Sequence, residues 1–169
     1  MDSLLNWLAQ TKVLWVTFIL TVVASVAFVM LAGQVNGHFM DEALTEAAAL
    51  ETLNGLSSDQ KSFHFWVTAL LDTLYPLVYG SFFAGMVARL AGSMRSWAVW
   101  PGLIGVDCDY VENITQLLAL ADDPSWLFLK DVVTPIKMGG IGISLLLIAV
   151  FGVLAFIRRQ SEEDEPSVG

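Results

Sequence analysis

Cysteine is almost absent from this sequence, and so is positive charge. Cys108 is the only thiol, which excludes an intrachain disulfide and leaves the compartment unreadable from cysteine usage. Lys and Arg number 8 against 17 Asp and Glu, and no basic patch interleaves with aromatic residues, which excludes nucleic acid as a partner. Charged residues of both signs make up only 15% of the chain, against 56% hydrophobic residues, a balance foreign to an ordinary soluble domain. No phosphate-binding glycine loop, zinc-ligand spacing, nucleophile elbow or haem signature occurs, so neither a cofactor nor a metal is expected.

What is present is long apolar runs. A bilayer core of ~30 Å needs ~20 mostly apolar residues per helix, and the sequence offers four such stretches, at about 13–33, 65–88, 97–121 and 132–157. The first exceeds the ~7–15 apolar residues of a secretory signal and is read as a span. The expected fold class is therefore all-α, an integral membrane four-helix bundle forming one transmembrane domain over residues 1–157. The acidic segment 158–169 is expected to be a disordered cytoplasmic tail.

Basic residues near span ends set orientation. Lys12, Arg89, Arg95, Arg158 and Arg159 fall on one side, and Lys61 and Lys130 on the other, which predicts both termini in the cytoplasm. Trp7, Trp15, Trp97 and Trp100 then mark the inner boundary, and Trp66 and Trp126 the outer one. Residues 34–64 are too many for a mere connector. There, Asp41 as N-cap and Asn54-Gly55 as stop signal predict a short extracytoplasmic helix between spans one and two. Ser57 with Gln60 makes a capping box, so a further helix starts near Ser58 and runs into span two. Pro101 and Pro135 are placed in the first turns of spans three and four, where a missing N–H matters little.

Ionisable residues at membrane depth are expensive and mark functional sites by default. In span two, Asp72, Tyr75, Pro76 and Tyr79 share one helix face. In span three, Asp109, Glu112, Asn113 and Gln116 do the same, with Asp107 on another face. Lys137 lies two turns into span four. At ~1.5 Å per residue, Asp72, Glu112 and Lys137 sit roughly 9 to 14 Å below the outer boundary, so they are expected to meet. Pro76 lacks the N–H that would bond the Asp72 carbonyl, and Lys137, Asn113 or a tyrosine hydroxyl is expected to meet that carbonyl instead. His38 and His64, flanking the first external loop, read as interfacial residues or as companions of Asp72 in a metal or proton site. Gly139, Gly140, Gly142 and Ser144 allow close helix approach in span four.

With "DTLYPLVY" in span two, "DYVEN" in span three and a lysine early in span four, the chain resembles a group of uncharacterised bacterial four-helix integral membrane proteins. The resemblance runs over about residues 40–155 and implies a bacterial inner (cytoplasmic) membrane location. It implies a fold and a pocket but brings no activity. The chain departs from that group before span two, where "NGLSSDQKSF" carries no arginine.

Three functions remain open from the residues alone. The leading one is a small polytopic membrane protein whose pocket of Asp72, Tyr75, Tyr79, Asp109, Glu112, Asn113 and Lys137 binds a polar headgroup or small solute, or which acts as an accessory subunit with that pocket locking the bundle. The others are an intramembrane acid-base enzyme acting on a lipid or isoprenoid and a proton-linked transporter working as a dimer. Expected partners are the lipid bilayer and a membrane protein or a second copy of the chain.

Overall fold

The computed structural model describes residues 2–163, and its architecture is all-helical. A short α1 (Asp2–Leu8) precedes α2 (Thr11–Ala32), whose apolar residues run all round the helix, as in a membrane span. A left-handed turn at Asn36 and Gly37 ends it. The chain then folds through a 3₁₀ turn (Met40–Glu42) into α3 (Glu46–Gly55). The long second rod is α4 (Ser58–Val67), a π-helical turn (Thr68–Asp72) and α5 (Thr73–Leu90) without a break. A four-residue α6 (Arg95–Ala98) leads into α7 (Trp100–Leu120), and a 3₁₀ segment (Pro124–Leu129) into α8 (Lys130–Glu163).

Four long rods thus form the bundle, with α3 laid across one end. Three of them, Thr11–Val35, Ser58–Leu90 and Pro124–Ser161, are long and apolar enough to cross a membrane. The fourth, α7, spans 21 residues but carries Asp107, Asp109 and Glu112. Apolar side chains of α2 and α8 such as Val23, Val29, Leu146 and Phe156 are exposed on the outside of the bundle. All six tryptophans are exposed as well.

Two apolar clusters close the ends of the bundle. At the α3 end, Val35, Phe39, Met40, Leu53, Leu120 and Leu127 pack together. At the other, Leu5 and Leu8 of α1 pack on Ala84, Val87 and Ala88 of α5 and on Val99. Arg95 fastens α1 there by donating to Asn6 Oδ1 and to Asp2 Oδ1, the latter at 3.1 Å.

The capping box is formed: Ser57 Oγ accepts from Gln60 N at 3.3 Å and Gln60 Oε1 from Ser57 N at 3.0 Å. The N-cap of α3 is Thr45, which accepts from Ala48 N at 3.3 Å, and not Asp41. Glu46 N donates to Asp131 Oδ1 at 2.8 Å, docking α3 on the start of α8. Pro101 lies in the first turn of α7 as expected. Pro135 does not lie in a first turn, because α8 begins at Lys130 and encloses it. The same helix continues through Arg158 and Arg159 to Glu163, and residues 164–169 of the expected disordered tail lie outside the described residues.

Small residues set how closely the rods approach. A methyl group at Gly140 would overlap the Pro101 carbonyl and reach 3.0 Å from Gly105 N, so α7 and α8 meet backbone to backbone at this point. Ser144 Oγ would lie 2.9 Å from a methyl at Gly102, one helical turn along the same seam. Gly139 and Gly142 face open space, so only part of the small-residue run serves the packing.

Candidate functional site

The inward face of α7 presents Asp109, Glu112, Asn113 and Gln116, all buried, as helical spacing requires. Opposite them α8 turns Lys130, Thr134 and Lys137 inward, again one face, and all three are buried. Lys137 Nζ donates to Asp41 Oδ1 at 2.8 Å and to Asp109 Oδ1 at 3.3 Å. It also lies 2.6 Å from Glu112 Oε2, an ion-pair contact outside hydrogen-bond geometry. Lys130 Nζ donates to Glu112 Oε1, which also accepts from Thr134 Oγ1 at 3.1 Å. Tyr79 completes the cluster from α5 by donating to Asp109 Oδ2 at 2.7 Å.

The 3₁₀ turn that carries Asp41 is held from both sides through Met40. Its N–H donates to His64 Nε2 at 3.4 Å and its carbonyl accepts from Lys130 Nζ at 3.0 Å. His64 is therefore a buried fastener of this turn. His38 is exposed and pairs with Glu42 at 2.9 Å. Neither histidine forms a site with Asp72 among the described residues.

The break at Pro76 is resolved in one contact. Asn113 Nδ2 donates to the Asp72 carbonyl at 2.9 Å, replacing the backbone bond that proline cannot make. The π-helical turn just before it redistributes the remaining bonds, and Thr73 Oγ1 donates to the Thr68 carbonyl at 2.9 Å. The Asp72 carboxylate, expected to pair with Lys137, does not do so. It is 4% exposed and neither accepts a hydrogen bond nor forms an ion pair among the described residues. Tyr75 packs its ring on that of Tyr79, 5.2 Å between centroids, and shares a hydrogen bond with Ser25 of α2 at 2.9 Å.

Two charged members of the cluster, Lys130 and Asp41, and the hydroxyl of Thr134 are not legible in the sequence. Lys130, expected as a loop charge on the outer side, is fully buried on Glu112. Its spacing of seven residues from Lys137 places both on one face of α8, a signal hidden because the helix starts earlier than the apolar run. Asp41 precedes helix formers, which predicts a cap; only the fold brings this residue onto Lys137.

Asp41, Asp109 and Glu112 bring carboxylate oxygens within 4.8 Å of one another, near enough for a metal ion. The Lys137 ammonium already stands among all three. The donor set is thus filled by the chain's own cation and does not favour a metal. A partly open cavity of about 230 Å³ adjoins the cluster, where Asp41, Tyr79, Asp109 and Lys137 share the walls with Met138 and Ile141. Asp107, by contrast, is exposed on the outer face of α7.

No protein-family model, curated protein or solved structure matches the chain. The resemblance read from the motifs of α5, α7 and α8 is therefore carried no further than a helical protein with three long apolar helices.

Proposed function

We propose that the chain is a four-span membrane protein that binds the polar head of an amphiphile against its buried ionic cluster. The observation that carries this reading is the mixed wall of the cavity beside Lys137. Asp41, Asp109, Lys137 and Tyr79 line it with charged and hydroxyl groups, and Phe83, Met138 and Ile141 line it with apolar ones. Few polar groups converging on an apolar cleft is the usual chemistry of a ligand site. Thr21 of α2 and Met138 of α8 both line the cleft, and α2 packs along α5 with no comparable contact to α8. The cleft therefore opens between two helices whose outer faces are apolar, so a head can enter from the bilayer with its chain left in lipid.

A cluster that served only to fix helix register would need no cavity at its edge. The test is to block the cleft without touching a charge. Thr21→Trp, purified in a neutral maltoside detergent, is expected to keep the melting temperature of the wild type. It should retain at least about tenfold less co-purified lipid by native mass spectrometry, in keeping with the burial of a ligand head. Equal lipid retention by a folded variant would remove this reading.

A further inference from the structure

A second cavity, of about 220 Å³, lies next to the first and shares Asp41 and Tyr75 with it. Its lining is unlike that of the ionic cluster. Asp72, Asp41 and Glu42 contribute three carboxylates, and the aromatic rings of Phe28, Phe39 and Tyr75 contribute most of the remaining wall. No lysine or arginine lines it.

The carboxylates are not equivalent. Asp41 is engaged by Lys137, and Glu42 by His38 and by the Phe39 N–H at 3.4 Å. Asp72 is left with no partner among the described residues, although it is 4% exposed and borders the cavity. A buried polar group normally finds a partner, and a buried charge all the more so. Both buried ammoniums of the chain, Lys130 and Lys137, are already committed to Glu112, Asp109 and Asp41. No cation of the described residues is left to pair with Asp72, so a cation from outside the chain can take that place.

The walls say which kind of cation. Hard divalent ions take six or more oxygen ligands or keep much of their water, and this cavity offers rings where such ligands would have to be. Phe28 meets Phe39 at 5.8 Å and Tyr75 at 5.6 Å between ring centroids, both edge-on, so the three rings make a cornered enclosure beside the carboxylate. An ammonium is held by ring faces as well as by a carboxylate. We infer that the cavity of Asp72, Phe28, Phe39 and Tyr75 binds an organic ammonium group. This deepens the headgroup reading and rests on it: the head that enters the cleft is cationic, and its nitrogen sits at Asp72. The shared chemistry is an alkylated or primary amine, carried by a lipid or free in solution.

The experiment uses the full chain in a neutral maltoside detergent, titrated calorimetrically with tetramethylammonium and with dodecyltrimethylammonium. Wild type is expected to bind at least one of them. Asp72→Asn, the uncharged isostere, should weaken binding at least about tenfold, as loss of one partner of a desolvated charge pair does. Phe28→Leu should weaken it by about threefold or more through loss of a ring. Binding of both probes means that the ammonium alone suffices, and binding of the alkylated probe alone assigns the site to a lipid headgroup; either supports the inference. Since Asp72 carries no structural bond through its carboxylate, Asp72→Asn should melt no lower than wild type. Unchanged affinity in both variants, or no binding of either probe to wild type, overturns the ammonium site. Lipid retained by wild type but not by Thr21→Trp would in that case leave the headgroup reading standing with a different head.

Discussion

Pro76 withholds one N–H, the Asp72 carbonyl is left without its helical donor, and Asn113 reaches across from α7 to supply one. The carbonyl, not the carboxylate, is what ties these two helices together here. An unmet buried carbonyl costs about 1–3 kcal/mol, so Asn113→Ala should destabilise the protein by that amount in detergent unfolding. Pro76→Ala restores a backbone donor within reach of the same carbonyl. In that background the cost of Asn113→Ala should fall to less than half, because the carbonyl then has its own partner. Additive effects in the double variant would show that Asn113 acts elsewhere. The same residue-scale logic explains the double lysine: Glu112 is fully buried and meets both ammoniums, and removal of one partner from such a group costs far more than the pair contributes.

At the scale of elements, the contact of α7 with α8 is the most intimate in the bundle, and its spacing is set by glycine. Gly140 touches the Pro101 carbonyl and the Gly105 backbone, while Gly139, one residue away, faces nothing within 4 Å. Gly140→Ala should therefore cost about 1–3 kcal/mol by forcing the helices apart. Gly139→Ala should be neutral or stabilising by up to about 1 kcal/mol, since alanine is the better helix residue. A chemical-unfolding comparison of the two variants checks the seam directly; equal effects would mean that α7 and α8 are not packed in this register. The seam also matters to the site, because it places Lys137 and Glu112 at the same height on facing helices. The turn at 40–42 is the other decisive element. His64 and Lys130 grip Met40 from either side, and this grip is what presents Asp41 to Lys137.

For the whole molecule, the proposed four-span topology turns on α7. α7 is 21 residues long, about 31 Å at ~1.5 Å per residue, which matches a bilayer core of ~30 Å. Asp109 and Glu112 are turned inward onto lysines, so much of its charge is hidden inside the bundle. Four crossings put both termini on one face, and three put them on opposite faces. Tags at the two ends, tested for protease access in sealed inverted vesicles, should both be cleaved, with the α3 segment protected. Protection of one terminal tag would mean that α7 does not cross. The basic residues lean the same way: with Lys130 buried, Lys61 alone remains of the two assigned to the outer side.

The sequence by itself determined the helical class, the apolar runs, the capping box at Ser57, and the inward face of α7, because each depends on residues within one or two helical turns of one another. It also located the break at Pro76 and the short set of groups able to mend it. Tertiary structure alone decided which group did so, and that Lys130 and Asp41 enter the cluster while the Asp72 carboxylate stays outside it. Those outcomes turn on helix register, on where α8 begins, and on the path of a loop. Charge pairing across helices is a matter of distances of a few ångströms between segments far apart in the chain, and periodicity within a segment carries no information about them.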